Sequence, residues 1–293
     1  MAASMIRSAS VSLFRDSSVS SIAAGFVTVL VGFASTAAIV FQAAQALDAT
    51  PAQTASWMWA LGIGMGATCI ALSLRWKMPV VTAWSTPGAA VLATSAAGVS
   101  MGEAVAGFLV SALLIAIAGF SGIFERMLGR IPLSLASAML AGVLLRFGID
   151  AFAAIQAAPA LVLSMLATWL LARRWWPRYA VIATLLAGIA AAALAGQLHL
   201  AGLRLELAQP VWTTPRLSLA SILGVALPLF VVTMASQNVP GVAAIRASGY
   251  PVPVSPAIGW TGVASLLLAP FGAFALNLAA ITAAICMGPE AHA

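Results

Sequence analysis

The chain has 293 residues, of which 62% are hydrophobic and only 7% are charged, whereas about 25% of the residues in a typical soluble domain are charged. So few charges cannot cover a soluble globule of this size, which excludes a soluble enzyme, a secreted domain and a disordered chain. Hydrophobic segments of about 20 residues recur along the chain, and a helix of that length crosses a bilayer. The sequence therefore predicts an all-α polytopic membrane protein with roughly ten spans.

The candidate spans are distributed over nearly the whole chain. They cover residues 20–45, 52–73, 79–98, 102–123, 131–154, 157–173, 178–197, 217–240, 256–269 and 271–288. The longest polar stretch, 197–216, separates the seventh span from the eighth. We therefore predict a first part over 1–196, an external linker over 197–216 and a second part over 217–293.

The positions of the basic residues predict a cytoplasmic N-terminus, because Lys and Arg are enriched in cytoplasmic loops. With this orientation Arg204 and Arg216 lie outside and Arg146 lies within a span. The remaining basic residues lie inside: Arg7, Arg15, Arg75, Lys77, Arg126, Arg130, Arg173, Arg174, Arg178 and Arg246. The net charge of +6 is therefore interpreted as a topology signal rather than as a nucleic-acid surface.

The third candidate span, 79–98, does not resemble an ordinary lipid-facing helix. Its β-branched start is followed by Ser85, Thr86, Pro87 and Gly88. A serine N-cap followed by proline in the first turn is typical of a helix start. The pattern predicts a short extended stretch that leads into a half-helix beginning near the middle of the membrane.

The tenth candidate span, 271–288, shows a similar interruption. Pro270 precedes an extended-looking stretch with Asn277, and a helix of small residues with Thr282 follows. The tenth span is the seventh after the third, and this odd offset gives the two spans opposite orientations, as expected for an inverted-topology repeat. Paired interruptions of this kind mark a transporter's binding site. The alternative is that Pro87 and Pro270 only kink continuous helices.

Half-helices that begin inside a membrane can bind an anion. Their first turns present unpaired N–H groups and the positive end of the helix dipole. Two such ends would hold a carboxylate without a buried arginine. The candidate binding residues in these two segments are Ser85, Thr86, Gly88, Asn277 and Thr282.

Amide side chains in other spans are further candidates for the binding site. Gln237 and Asn238 are costly in hydrocarbon unless they are hydrogen-bonded, so we predict that they face the site. Alternatively, they could join helices or form an interfacial cap before Pro240. Gln42 in the first span is a weaker candidate.

The remaining polar and aromatic residues give less specific signals. Glu103 is predicted to cap the fourth span rather than to carry a proton. No Asp or Glu lies at the middle of a predicted span, so the sequence names no proton carrier. Cys69 and Cys286 are interpreted as packing residues, and no metal site or cofactor is predicted. The side chains of three residues could hold an aromatic ring or could serve in helix packing or lipid contact: Trp84, Phe271 and Phe274.

Several of these motifs together resemble the bacterial benzoate/proton symporter family. The similarity lies in residues 79–90, 236–242 and 249–253, and in Asn277 with 288–292. It implies a relative of the uracil/proton and sulfate-type carriers, with seven plus seven spans in inverted repeats. It also implies a core domain from spans 1–4 and 8–11, a gate domain from spans 5–7 and 12–14, and a substrate between spans 3 and 10. The resemblance assigns the site to Ser85, Thr86, Gln237, Asn238, Asn277 and Thr282.

These observations predict a secondary transporter rather than an enzyme. We expect import of benzoate or a similar aromatic carboxylate with protons across the bacterial cytoplasmic membrane, by movement of the core against the gate. In uracil carriers the eighth span supplies a carboxylate, whereas this chain has Gln237 at the comparable position. Alternatives are a nucleobase carrier of the same fold and a non-transporting scaffold or fragment. A homodimer stays open, and nucleic acid is not an expected partner.

The resemblance also gives an expectation about the length of the chain. A complete family member would continue for four more spans, so we expect a chain truncated after the tenth span, with a core from spans 1–4 and 8–10 and a gate from spans 5–7. Such a chain is expected not to transport alone. Robust uptake by the 293-residue chain would contradict that expectation.

Overall fold

The structure is a computed structural model that describes residues 18–34, 36–95, 98–128, 145, 149, 151–176, 179–198, 207–251 and 253–288. The predicted fifth span, 131–154, and the charged residues before residue 18 lie largely outside these ranges. In the part of the chain that is described, five helical segments are long and apolar enough to cross a membrane. They are Ser21–Ala46, Pro51–Trp76, Met101–Phe120, Ser221–Ala247 and Val254–Phe271.

The described elements are mainly helices, with two short strands. In chain order they are α1 (Val19–Ala34), α2 (Ala37–Ala46), α3 (Pro51–Trp76), β1 (Thr82–Trp84), α4 (Thr86–Ser95), α5 (Met101–Phe120), α6 (Ile123–Leu128), α7 (Pro159–Trp175), α8 (Ala180–Leu194), a first π turn (Ser221–Ala226), α9 (Leu227–Thr233), a second π turn (Met234–Asn238), α10 (Val239–Ala247), α11 (Val254–Leu268), a 3-10 turn (Ala269–Phe271), β2 (Leu276–Leu278) and α12 (Ile281–Met287).

The chain divides into two compact units. One comprises Met1–Leu30, Ala141–Glu206 and Ile285–Ala293, and the other comprises Val31–Leu140 and Leu207–Ala284. In the first unit α7 packs against α8, where Gly188 lies against the side chain of Met165. The second unit contains both strands and the large buried core.

Two long helices of the second unit begin with the same local signal. Thr50 and Gln53 form a capping box at the start of α3, and Ser100 and Glu103 form one at the start of α5. In each box the hydroxyl group accepts a backbone N–H bond while the longer side chain accepts one in return. The predicted capping role of Glu103 is therefore confirmed.

The two interrupted segments form strands, so the alternative of continuous helices kinked at Pro87 and Pro270 is wrong. The strands β1 and β2 pair antiparallel, with Thr82 opposite Leu278, Ala83 opposite Asn277 and Trp84 opposite Leu276. Helix α4 follows β1 directly, and the seven-residue α12 follows β2. Because strands within a bilayer need partners for every backbone polar group, this pair must lie inside protein.

The eighth span is longer than predicted. It continues through Pro240 to Ala247 instead of ending at residue 240. Pro240 has no N–H to donate and would normally break an α-helix. Here the second π turn ends two residues before Pro240, and this local π adjustment accommodates the missing hydrogen bond. The interpretation of Gln237 and Asn238 as a helix-ending cap is therefore wrong.

The core of the second unit is aromatic at its centre. The ring of Trp57 lies 5.4 Å from that of Phe108 and 6.0 Å from that of Phe274, measured between centroids. All three side chains are buried. Phe274 therefore has the helix-packing role that the sequence left open.

Small residues bring α5 and α11 into close contact. A Cβ atom added to Gly119 would collide with the backbone of Gly259, and one added to Gly262 would lie 2.5 Å from the Ala116 backbone nitrogen. Small residues allow membrane helices to approach to this distance. The close packing holds α11 beside α5 and so positions the strand that follows it.

Candidate functional site

The strand pair is held along both outer edges by side chains from neighbouring helices. On β2, the Leu276 N–H donates to Ser265 Oγ at 2.8 Å and the Leu278 N–H donates to Asn238 Oδ1 at 3.0 Å. On β1, the Thr82 N–H donates to Cys69 Sγ at 3.2 Å. Edge amides without water must find acceptors in the protein. Cys69 is therefore an acceptor for the strand as well as a packing residue.

Two buried serines allow the contribution of such an acceptor to the free energy of unfolding to be measured. Ser265 is bonded as described, whereas the hydroxyl group of Ser111 on α5 has no partner among the described residues. We predict that Ser265→Ala lowers the free energy of unfolding by about 1–2 kcal/mol. Ser111→Ala should leave it unchanged or raise it by about 1 kcal/mol. Unfolding in mixed detergent micelles measures both, and equal losses would contradict the assignment.

Ser85 caps the start of helix α4, which begins at Thr86, as the sequence predicts. Ser85 Oγ accepts the Gly88 N–H at 3.1 Å, and the Ser85 carbonyl oxygen accepts the Ala89 N–H at 2.8 Å. Pro87 has no N–H. The first turn therefore presents fewer free donors than a helix N-terminus normally offers to an anion.

The eighth span lies along the strand pair and contacts it repeatedly. Thr233 Oγ1 donates to Ser85 Oγ at 2.9 Å, and Asn277 Nδ2 lies 3.5 Å from Gln237 Oε1. Thr233 and Gln237 are four residues apart, so they share one helix face. Antiparallel pairing puts alternate side chains on one face of the strands, which places Ser85 and Asn277 together on the face toward the eighth span.

Asn277 has an unusual hydrogen-bonding environment. It is fully buried, and its Nδ2 donates to the Leu278 carbonyl oxygen at 3.0 Å. Its Oδ1 has no partner among the described residues. The Leu278 contact fixes the orientation of the amide, because a flipped amide would place two acceptors against each other. The site thus contains a buried acceptor that faces no donor of the described chain.

The structure places the other predicted residues differently. Gly88 is buried against Leu229 and Ser85, Thr86 is half-buried, and Asn238 is fully buried with its oxygen bonded to β2. Thr282 is half-buried, and its methyl group lies beside Gly32. We call the region where the strand pair meets the eighth span the crossing. Four of the predicted residues lie there: Ser85, Gln237, Asn238 and Asn277.

Gln42 lies apart from this crossing. It is exposed on α2, opposite the face formed by Val40, Ala43 and Ala44 that is buried where α2 packs on α4. Among the described residues, no hydrogen bond joins Gln42 to another candidate. Its role in binding stays a prediction.

Sequence reasoning missed several contributors to the crossing. The strand amides donate to Ser265 and Cys69, and Thr233 donates to Ser85. The sequence around these three residues gives no sign of these contacts. The one available signal was the four-residue spacing of Thr233 and Gln237. Trp84 lies on the other face of β1, where its Nε1 donates to Thr36 Oγ1 at 2.9 Å.

Comparisons with known proteins identify the kind of molecule. The family described as benzoate membrane transport protein matches residues 15–293. The chain belongs to this family. Inner membrane protein YdcO of Escherichia coli is 50% identical over 269 residues, covering 92% of this chain and 69% of that protein. The benzoate membrane transport protein of Acinetobacter baylyi is 40% identical over 280 residues, covering 96% of this chain and 71% of that protein. No solved structure matches the chain significantly.

Membership of the benzoate membrane transport protein family makes this chain a multi-pass membrane transporter, not an enzyme. The strand crossing agrees with that role, because non-helical backbone within a membrane is tolerated where it is buried in protein or lines a cavity. Among the described residues, no group of three or more His, Cys, Asp or Glu side chains could hold a metal ion.

Proposed function

We propose that the protein imports benzoate or a similar aromatic carboxylate with protons across the bacterial inner membrane. The observation that carries the proposal is the crossing of two paired, interrupted segments with the eighth span, where buried neutral polar side chains converge. Paired interruptions of this type form the binding sites of secondary transporters. The 40% identical relative named as a benzoate membrane transport protein supports the substrate class.

The proposed binding site comprises the start of α4 and the facing residues of β2 and the eighth span. Ser85 and Thr86 supply hydroxyl groups, and Asn277 and Gln237 supply amide groups. Asn238 contributes by holding β2 through the Leu278 N–H. Gly88 contributes by allowing α4 to approach Leu229 closely. Thr282 and Gln42 remain proposed contributors on sequence grounds.

Coupling to protons has a physical reason. Benzoate is mostly ionised at pH 7, since carboxylic acids titrate near pH 4. Bringing one negative charge into a negative cytoplasm costs about 2.3 kcal/mol per 100 mV. A proton that moves with the anion cancels this cost. In proteoliposomes, benzoate uptake that is equal with and without a pH gradient would contradict the coupling.

The proposed architecture is an inverted repeat with a cytoplasmic N-terminus. Each strand follows a helix, and a side chain of that helix accepts a hydrogen bond from an N–H group at the outer edge of the strand. The acceptor is Cys69 on α3 for β1 and Ser265 on α11 for β2. The antiparallel pairing of the strands also supports opposite orientations of the two segments. We further propose that the unit containing both strands is the core and that the unit containing α7 and α8 is the gate.

The first test is binding of benzoate to the purified chain in detergent. We predict that benzoate raises the melting temperature, because a ligand that binds only the folded state stabilises it. Cyclohexanecarboxylate and uracil are compared at equal concentrations. A nucleobase also offers N–H donors to Asn277, so stabilisation by uracil and not by benzoate would overturn the proposed substrate in favour of a nucleobase.

We predict that Asn277→Ala weakens benzoate binding at least about tenfold, because it removes the buried amide at the centre of the crossing. Isothermal titration calorimetry measures the change in Kd. Ser111→Ala is the matched control. It also deletes a buried oxygen that has no partner in the described part of the chain, but it lies on α5 outside the proposed site. Equal affinities of Asn277→Ala and the unsubstituted chain would contradict the assignment of this residue.

A further inference from the structure

Asn277 Oδ1 has no partner among the residues that the structure describes, and this restricts what can bind beside it. A buried carbonyl oxygen without a partner is costly, and the cost is recovered when a donor reaches it. Asn277 Oδ1 is an acceptor and cannot donate. An ionised carboxylate is also acceptor-only, so it cannot satisfy this atom. The group that binds at Asn277 must therefore carry a hydrogen on oxygen or nitrogen.

The surroundings of Asn277 contain little that would favour a bound anion. The elements that pack against β2 are β1, the second π turn, α3, α10 and α11. Their titratable or charged side chains are Cys69, Arg75 and Arg246. The two arginines are exposed, and Cys69 bonds to Thr82, whose side chain lies on the opposite face of the strands from Asn277. No charged side chain of these elements therefore faces the amide.

The start of α4 does not replace the missing charge. Its Gly88 N–H is donated to Ser85 Oγ, and Pro87 has no N–H. Two independent features thus argue in the same direction: an acceptor that needs a donor, and a helix end with few free amides. A bound carboxylate anion would leave Asn277 Oδ1 without a donor and would gain few backbone N–H bonds from the start of α4.

We propose that the aromatic acid binds in its protonated, neutral form, with the carboxyl O–H donating to Asn277 Oδ1. This inference rests on the proposed function and deepens it. The carboxylate takes one proton from water on the side of entry, and the acid gives that proton back after release on the other side. One proton therefore moves with each anion, and the proton carrier that the sequence lacks is the substrate itself.

The test is a ligand series on the full chain in detergent, followed by calorimetry between pH 5 and pH 8. Because only the neutral acid binds, the apparent Kd of benzoate should rise about tenfold per pH unit. Benzamide has a similar shape and N–H donors at every pH, so its Kd should stay constant. Methyl benzoate has no donor and should bind at least about tenfold more weakly than benzamide.

A second arm separates protonation of the ligand from protonation of the protein. At fixed pH, a substituted benzoate whose pKa is about one unit lower should bind about tenfold more weakly, because its neutral fraction is that much smaller. A titrating protein group would shift all the acids equally. In Asn277→Ala the preference for benzamide over methyl benzoate should disappear, and in Ser111→Ala it should remain.

The outcomes distinguish this inference from the function on which it rests. If benzoate binds with one Kd from pH 5 to pH 8 and benzamide does not bind, the anion is the bound species and the inference fails while the proposed function stands. If neither benzoate nor benzamide binds at any pH to a chain that stays folded by circular dichroism, both fail. The wild-type series decides these cases even if Asn277→Ala does not fold.

Discussion

Asn238→Ala is expected to lower the free energy of unfolding by about 3 kcal/mol. The side chain is fully buried, and its oxygen accepts the Leu278 N–H at 3.0 Å. Truncation leaves a buried amide without a partner, at a cost of about 1–3 kcal/mol. It also leaves a cavity that adds to the loss. Unfolding in mixed detergent micelles measures the total effect.

Two further variants divide this loss into its parts. Asn238→Leu keeps most of the volume without the acceptor, so it should cost about 2 kcal/mol. Gln237→Ala is the adjacent stability control. Its side chain is half-buried, and its contact with Asn277 is long at 3.5 Å, so the expected loss is below about 1 kcal/mol.

Hydrogen exchange reports whether Asn238 acts through the strand. In both Asn238 variants the Leu278 amide should lose protection, whereas amides in α5 should keep theirs, because only the outer edge of β2 is released. Unchanged protection at Leu278 together with a large loss of stability would show that Asn238 stabilises the chain by packing alone.

The interruptions of the third and tenth spans could be predicted because their signals are local. Ser85 followed by Pro87 is typical of a helix start, and the β-branched residues before it favour extended backbone. The capping role of Glu103 was predictable for the same reason, since Ser100 lies three residues earlier.

The contacts that hold the strands could not be predicted from the same sequence. Cys69 and Ser265 act as acceptors only because β1 pairs with β2, and that pairing joins residues far apart in the chain. The predicted end of the eighth span was wrong for a different reason. A π turn changes the phase of the helix after Met234, so Pro240 is accommodated where an ideal α-helix would end.

The hydrogen bonds of the Asn277 amide could not be predicted from the sequence. An amide in an apolar span predicts a site but not which of its atoms is free. The structure shows that the N–H₂ group donates to the Leu278 carbonyl oxygen, whereas the amide oxygen has no partner among the described residues. That difference changes the expected ligand group from an acceptor to a donor.

Gly241→Ala is expected to have the other large effect, a loss of about 3 kcal/mol in the free energy of unfolding. A Cβ atom at this position would lie 2.6 Å from the Leu278 carbonyl oxygen and 2.9 Å from its carbon. The obstacle is backbone, so no side-chain rotation can relieve it. Either α10 or β2 must shift, and a shift of β2 would displace Asn277 and weaken benzoate binding.

Gly224→Ala is the matched control for Gly241→Ala. It lies in the same span, and a Cβ atom there would meet nothing within 4 Å. It should therefore leave stability unchanged or raise it by up to about 1 kcal/mol, as replacing glycine within a helix usually does. Melting temperatures and benzoate titrations of the two variants test the comparison. Equal stability of the pair would mean that α10 does not approach β2 as closely as described, and the positioning of Asn277 would then need another cause.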